Sequence, residues 1–396
     1  MFPALRFLRP ATLRSVVGVG GLLIAMGHGL TAADWVVSAN ENKLDLVTGA
    51  QRVLSDSSPD TVSLLDFSQF PPAIRHLTNI ANTVLGPPSN VALSPDQRHV
   101  LIADSIVLDA GRTNGWRPQQ RIHVLDLSVE PPRVTSTVDT GLQPSGIVFN
   151  ADGKRVAVAN RAEGSVSVFR FVNGQLTRTQ SVRIAEPEAE VSDVASSPDG
   201  RWLVASITRA GVLAVLKWQD DTVVDTGRRI SVYGRPYRVM FTPDGTQVLT
   251  SGAGAGTGLD TDALTVVELR GEKFETVDFV PLAAGPESFD ISPDGRLAVA
   301  VLMNGSNTVP DGPLYRDHGL VVLLAREQGR WTRRQVMPTG RIPEGVVFTP
   351  DGRHVVVQCH PDRELRVYPV AGGMLGEVTL RIPTPGWPSG MGSGRR

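Results

Sequence analysis

Glu287 and Glu344 are the residues of this 396-residue chain whose type and spacing best suit proton transfer. Each follows a proline at the head of a short apolar run, in Pro286-Glu287-Ser288-Phe289 and Pro343-Glu344-Gly345-Val346. A related lead-in upstream reads Pro236-Tyr237-Arg238-Val239, and the aligned position elsewhere is small: Ser89, Ser145, Ser192 and Ser389. Two carboxyl groups held close push one pKa upward, which suits paired acid and base work. Arg238 would then hold an oxyanion or a substrate carboxylate. Asp193 sits one copy earlier, and Arg235 and Arg341 lie just upstream in two of the same connections. A second aligned column contains Glu41, Arg161 and His360. Asp193, Arg235, Tyr237, Arg341, Arg161 and His360 are therefore the expected ligand contacts. The plainer reading is that these charges solvate a wet channel mouth and pair with one another.

Other reactive groups are less suited. Cys359 and His360 are neighbours, but adjacent residues on a strand point to opposite faces, so the imidazole is badly placed to activate the thiol. A buried structural cysteine is expected. Gly252-Ala253-Gly254-Ala255-Gly256 opens no helix and therefore supports no nucleotide loop. No Gly-x-Ser-x-Gly elbow is present. Asp260-Thr261-Asp262 offers oxygen ligands for calcium but too few to define a site. Neither a metal nor a cofactor is expected.

The elements that must carry these residues are announced by a recurring turn. Ser94-Pro95-Asp96-Gln97, Asn150-Ala151-Asp152-Gly153, Ser197-Pro198-Asp199-Gly200, Thr242-Pro243-Asp244-Gly245, Ser292-Pro293-Asp294-Gly295 and Thr349-Pro350-Asp351-Gly352 follow one another at spacings of 56, 47, 45, 50 and 57 residues. Proline presets φ, aspartate bonds the local backbone and glycine accepts positive φ, so each copy predicts a tight hairpin. Apolar or alternating runs flank each turn, giving four short antiparallel strands per repeat. That unit is the blade of a propeller. No sustained 3.6-residue period argues for helices.

Six turns leave a seventh blade to the termini. Pro388-Ser389-Gly390-Met391 repeats the innermost-strand pattern Pro144-Ser145-Gly146-Ile147, after which the chain ends. Val36-Val37-Ser38-Ala39-Asn40 repeats the second-strand pattern Val156-Ala157-Val158-Ala159-Asn160, with no innermost strand before it. A blade shared by the two ends would close the ring and leave no open sheet edge. The expected fold is all-β: a seven-bladed β-propeller over residues 34–391, with four-stranded antiparallel blades and a flexible tail over 392–396.

The segment Val156-Ala157-Val158-Ala159-Asn160-Arg161 through Gly164-Ser165-Val166-Ser167-Val168-Phe169 resembles the YVTN repeats of the lactonase-type and cytochrome d1-type propeller superfamily. That superfamily includes 6-phosphogluconolactonase-like hydrolases, haem d1-binding enzymes, cofactor-dehydrogenase subunits and cell-surface binding proteins. The resemblance spans the chain after residue 33 and implies the fold. The His-Pro-Arg lead-in typical of lactonase-like members is absent here, and so is Cys-x-x-Cys-His.

Arg6, Arg9 and Arg14, the apolar run from Val16 to Met26 and Thr31-Ala32-Ala33 together predict a secretory signal peptide over residues 1–33. A periplasmic or secreted protein follows, without a membrane anchor once the signal is cleaved. Beyond residue 33 the chain carries 36 basic and 40 acidic residues, a net charge of −4. This leaves no basic footprint for nucleic acid. A lone cysteine excludes an intrachain disulfide.

The long second-to-third connections, at 42–60, 105–120, 252–262 and 303–318, gather on one face, where ligand contacts usually sit. The sequence therefore favours an exported monomer that binds a small ligand or an exported protein partner at that face. The alternative is a lactonase-like hydrolase or isomerase acting on a lactone or sugar-like substrate through Glu287, Glu344 and Arg238. A third reading is an accessory subunit of an exported redox enzyme.

Overall fold

A computed structural model describes residues 1, 3, 34–48, 50–54, 58–254 and 259–395. The chain divides into two compact units, Met1–Ala32 and Ala33–Arg396, and the second holds the sheets. The signal-peptide reading falls almost wholly outside the described residues.

Each predicted turn closes as its residue types dictate. In five copies the first-position hydroxyl reaches the aspartate two residues on at 2.6 Å, as in Ser197 to Asp199 and Thr242 to Asp244. The fourth residue donates its N–H back to the first, Gly200 to Ser197 at 2.9 Å and Gly245 to Thr242 at 2.8 Å. Gly153, Gly200, Gly245, Gly295 and Gly352 hold φ near +70°, the left-handed region that favours glycine; Gln97 occupies it in the one copy without a glycine.

Seven sheets follow. Their innermost strands are Val91–Leu93, Pro144–Phe149, Val191–Ser196, Arg235–Phe241, Pro286–Ile291, Pro343–Phe348 and Trp387–Ser393. The last of these belongs to the shared blade. It pairs with Trp35–Glu41 antiparallel, from Val36 opposite Ser393 to Glu41 opposite Trp387. This pairing extends two residues beyond the expected boundary at Met391. Gly392 and Ser393 are strand rather than tail because Val37 and Val36 offer them partners, and Arg395 is anchored on Asp290. Val36, Leu65, Val347, Val356 and Met391 pack together across this closure. Each fully buried aliphatic side chain contributes roughly 1.5–3 kcal/mol.

The repeat's asparagine is structural. Asn160 Nδ2 donates to Ser165 and Ser167 Oγ, each at 2.9 Å, and its Oδ1 accepts from Thr140 Oγ1 and Gly141 N–H at 3.1 Å. One side chain thereby fastens the third strand and the connection arriving from the preceding blade. Asn40 repeats part of this pattern on Thr61 and Ser63.

Two of the expected long loops are partly ordered as sheet. The 42–60 connection contains the ribbon Leu44–Asp45 with Arg52–Val53. The 105–120 segment is largely a hairpin, because His99–Leu108 and Trp116–Asp126 run on past the blade and leave 109–115 as their turn. The run Ser105-Ile106-Val107-Leu108 supplies the apolar residues that extend the strand: Ile106 is buried beside Leu44 and Leu85.

Candidate active site

The expected mouth residues divide between two ends of the central channel. Consecutive residues of an innermost strand face opposite sides of the blade and so meet different neighbours. The alternation that separates Cys359 from His360 separates Tyr237 from Arg238, and Ser192 from Asp193.

On the long-loop side, Tyr237, Glu287 and Glu344 converge with Arg161. Burial raises Glu287 from its ordinary 4.5 to about 8, opposed by the positive charge of Arg161. Glu344 is buried and held well above the carboxylate range by desolvation first, then by Glu287 and Glu41. The Tyr237 phenol is likewise held well above its usual range, by burial and then by Glu287. Arg161 is fixed from three sides. Its Nη1 donates to Ser192 Oγ at 2.5 Å, its Nη2 pairs with Glu190, and its guanidinium lies 5.7 Å from the Tyr237 ring centroid. Arg209 Nε holds the other oxygen of Glu190 at 2.8 Å. Beside Arg161 opens a cavity of about 390 Å³, whose walls include Leu85, Trp116, Gln143, Glu190 and Arg209.

Glu41 is a member of this group that its residue type alone did not single out. It is buried, and burial followed by Asp60 lifts it to about 8. Its Oε2 accepts the N–H groups of Lys43 and Leu44 at 3.3 and 3.1 Å. Lys43 in turn pairs with Asp60, donates to Thr83 Oγ1 at 2.8 Å and lies 3.6 Å from Asp104. Burial lifts Asp104 to about 6. The available signal was positional, since Glu41 shares a column with Arg161. Lys43, Asp60 and Asp104 are far apart in sequence and converge only in the folded chain.

Arg341 also stands on this side. Its backbone N–H donates to Asp362, its guanidinium lies 5.7 Å from the Tyr315 ring, and Nε and Nη2 are buried without a hydrogen-bond partner. Arg235 is exposed at the head of its strand, opposite Ala253.

Three expectations change. Asp193 and Arg238 line the channel from the turn side, where Ser89 Oγ and Val239 N–H donate to the Asp193 carboxylate at 2.9 Å. Arg238 is thus grouped with Asp193 rather than with the glutamates. His360 is fully buried instead of projecting into the mouth, because Trp387 and Pro388 of the closing strand cover it. Its Nδ1 lies 3.2 Å from Pro388 O, and burial lowers its pKa to about 4. Cys359 matches expectation: it is buried, and its thiol is raised to about 11 by desolvation.

The group can therefore present two carboxyls that titrate apart. Glu287 has Arg161 to support its anion; Glu344 faces Glu287 and Glu41 and keeps its proton longer. Such a split is how one site supplies a base and an acid together.

Comparison with known proteins bears on the fold. The family model described as Lactonase, 7-bladed beta-propeller matches residues 129–258. No curated protein matches the chain in sequence. Among solved structures, a proposed 6-phosphogluconolactonase from Bacteroides fragilis superposes with a TM-score of 0.68 at 16% identity, over 92% of this chain and 99% of that one. The Pseudomonas aeruginosa periplasmic gluconolactonase gives 0.67 at 19%, over 90% and 99%. The dihydro-haem d1 dehydrogenase NirN gives 0.53 at 19%, over 91% and 75%. The chain has the fold of lactonase-type seven-bladed propellers.

Proposed function

We propose that the protein is a lactonase-type hydrolase that opens a sugar-derived lactone at the long-loop mouth. The observation that carries this reading is the pair of half-buried Glu287 and buried Glu344, set beside an anchored arginine in a propeller of lactonase type. Glu287, as its anion, takes a proton from water while the water oxygen bonds to the lactone carbonyl carbon. The tetrahedral oxyanion collapses, the bond from carbonyl carbon to ring oxygen breaks, and Glu344 gives its proton to that departing oxygen. The product is a hydroxy acid, and water is the only co-reactant. Arg341 has unpartnered N–H groups on the same side and is assigned to the substrate's polar groups. The cavity between Trp116 and Arg161 has room for the remainder of a sugar ring.

Arg161 supports the Glu287 anion, and Glu190 and Ser192 fix its direction. Arg238 has no part in this chemistry. Transport out of the cytoplasm by the predicted signal peptide belongs to the same proposal, in keeping with the periplasmic location of the Pseudomonas relative. The binding-module reading would use the same mouth, but no separate observation favours it.

The test is hydrolysis of glucono-δ-lactone and related sugar lactones, followed by pH-stat, by the protein and by Glu287→Gln and Glu344→Gln. General acid or base loss lowers kcat by about 10²–10⁴. Turnover retained in both variants removes the assigned roles, and no turnover on any lactone returns the mouth to simple binding.

A further inference from the structure

The opposite end of the channel carries a second, separate site. A cavity of about 440 Å³ opens between the tight turns; Pro95, Pro198, Pro243 and Pro293 form part of its rim. Four charged side chains line it: Asp193, Arg238, Asp290 and Arg395. Both acids are fully buried and have their oxygens engaged. Asp193 accepts from Ser89 Oγ and Val239 N–H. Asp290 accepts from Phe348 N–H at 2.8 Å and from Arg395. Arg238 differs: its Nε is buried without a hydrogen-bond partner among the described residues. Its positive charge is felt by Asp193 without direct bonding. An unmet buried donor on a cation costs more than a neutral one, so the site's spare capacity is for an acceptor, preferably an anion. Apolar walls from Ile147, Met240, Val347 and Met391 exclude water and strengthen that interaction.

We propose that this turn-face cavity binds a small anion, a carboxylate or a phosphate, through Arg238 with Arg395 as the second cation. Its volume falls within the usual range for small-molecule pockets and accommodates a six-carbon hydroxy acid. Arg395 stands at the rim, half-exposed, where it can turn one edge of its guanidinium to the anion while holding Asp290 with the other.

The experiment is calorimetric titration of the full-length protein with inorganic phosphate and, separately, with gluconate. Arg238→Gln, Arg395→Gln and Arg341→Gln are titrated alongside, each first checked for native circular dichroism and melting. The expected result is saturable binding of at least one probe, weakened about tenfold or more by Arg238→Gln, less by Arg395→Gln and not by Arg341→Gln. Which probe binds separates phosphate from carboxylate. No saturable binding of either probe, or binding that Arg238→Gln leaves intact or Arg341→Gln abolishes, overturns the proposal. Should Arg238→Gln fail to fold, Arg395→Gln, altered at the chain's exposed end, takes its place, and binding that it leaves unchanged overturns the proposal equally.

Discussion

Replacing Glu287 by glutamine should alter how the protein's stability depends on pH. In the folded state the carboxyl is raised from 4.5 to about 8, so the folded protein binds this proton more tightly than the unfolded chain does. Folding is therefore favoured by this group below about pH 4.5, and the advantage is lost as pH rises through 8. The shift corresponds to about 5 kcal/mol at 1.36 kcal/mol per pH unit. Glu287 keeps partial contact with solvent at the mouth. Screening reduces the expected effect to roughly 2–3 kcal/mol. Glutamine is nearly isosteric with the protonated acid, so the variant should match the parent near pH 5 and exceed its stability near pH 9 by that amount. Loss of the Glu287 charge also eases the ionisation of Glu344, which acts in the same direction. Urea unfolding of both proteins at intervals between those pH values measures the difference directly. A difference that stays flat across the range would refute the buried-carboxyl argument, and with it the acid-base assignment. The companion kinetic result is a lactonase rate that climbs towards an apparent pKa near 8.

Other expectations follow from neighbouring features. His360, lowered to about 4 by burial, stays neutral in the fold while the unfolded chain protonates near 6.5; stability should rise between pH 4 and 6.5 by up to about 3 kcal/mol. His360→Phe should flatten that rise in urea titrations. Asn160→Ala removes four hydrogen bonds at once and should cost roughly 2–4 kcal/mol in chemical unfolding. A stop after Gly386 deletes the closing strand, exposes Trp35–Glu41 as an open edge and should lower Tm by about 10 °C or more, with aggregation on heating. Cys359 should resist thiol reagents until the protein is unfolded, because it is buried and poorly ionised.

The blades were legible in the chain because their determinants are local. A Pro-Asp-Gly turn and a run of β-branched residues act over six or eight positions and repeat often enough to be counted. Even the closure was readable, since Pro388-Ser389-Gly390-Met391 and Val36-Val37-Ser38-Ala39-Asn40 each lack what the other supplies. The likeness to lactonase-type propellers rests on the same local pattern. Glu287 and Glu344 could be paired because aligned positions of neighbouring blades become neighbours around the channel.

The direction in which each side chain points was decided by tertiary structure. Pleating turns Tyr237 and Arg238 to opposite faces of their blade, so two residues adjacent in sequence meet different neighbours: Arg161 and Glu287 for the phenol, Asp193 for the guanidinium. His360 left the mouth because a strand from the far end of the chain covers it. Lys43, Asp60 and Asp104 form one network only after the first two blades come together. The raised pKa of Glu41 depends on that arrangement, as does its place beside Glu344. The glutamates' proton affinities therefore have a tertiary cause: residue type put carboxyls at the mouth, while burial and the one-sided support of Arg161 set them apart.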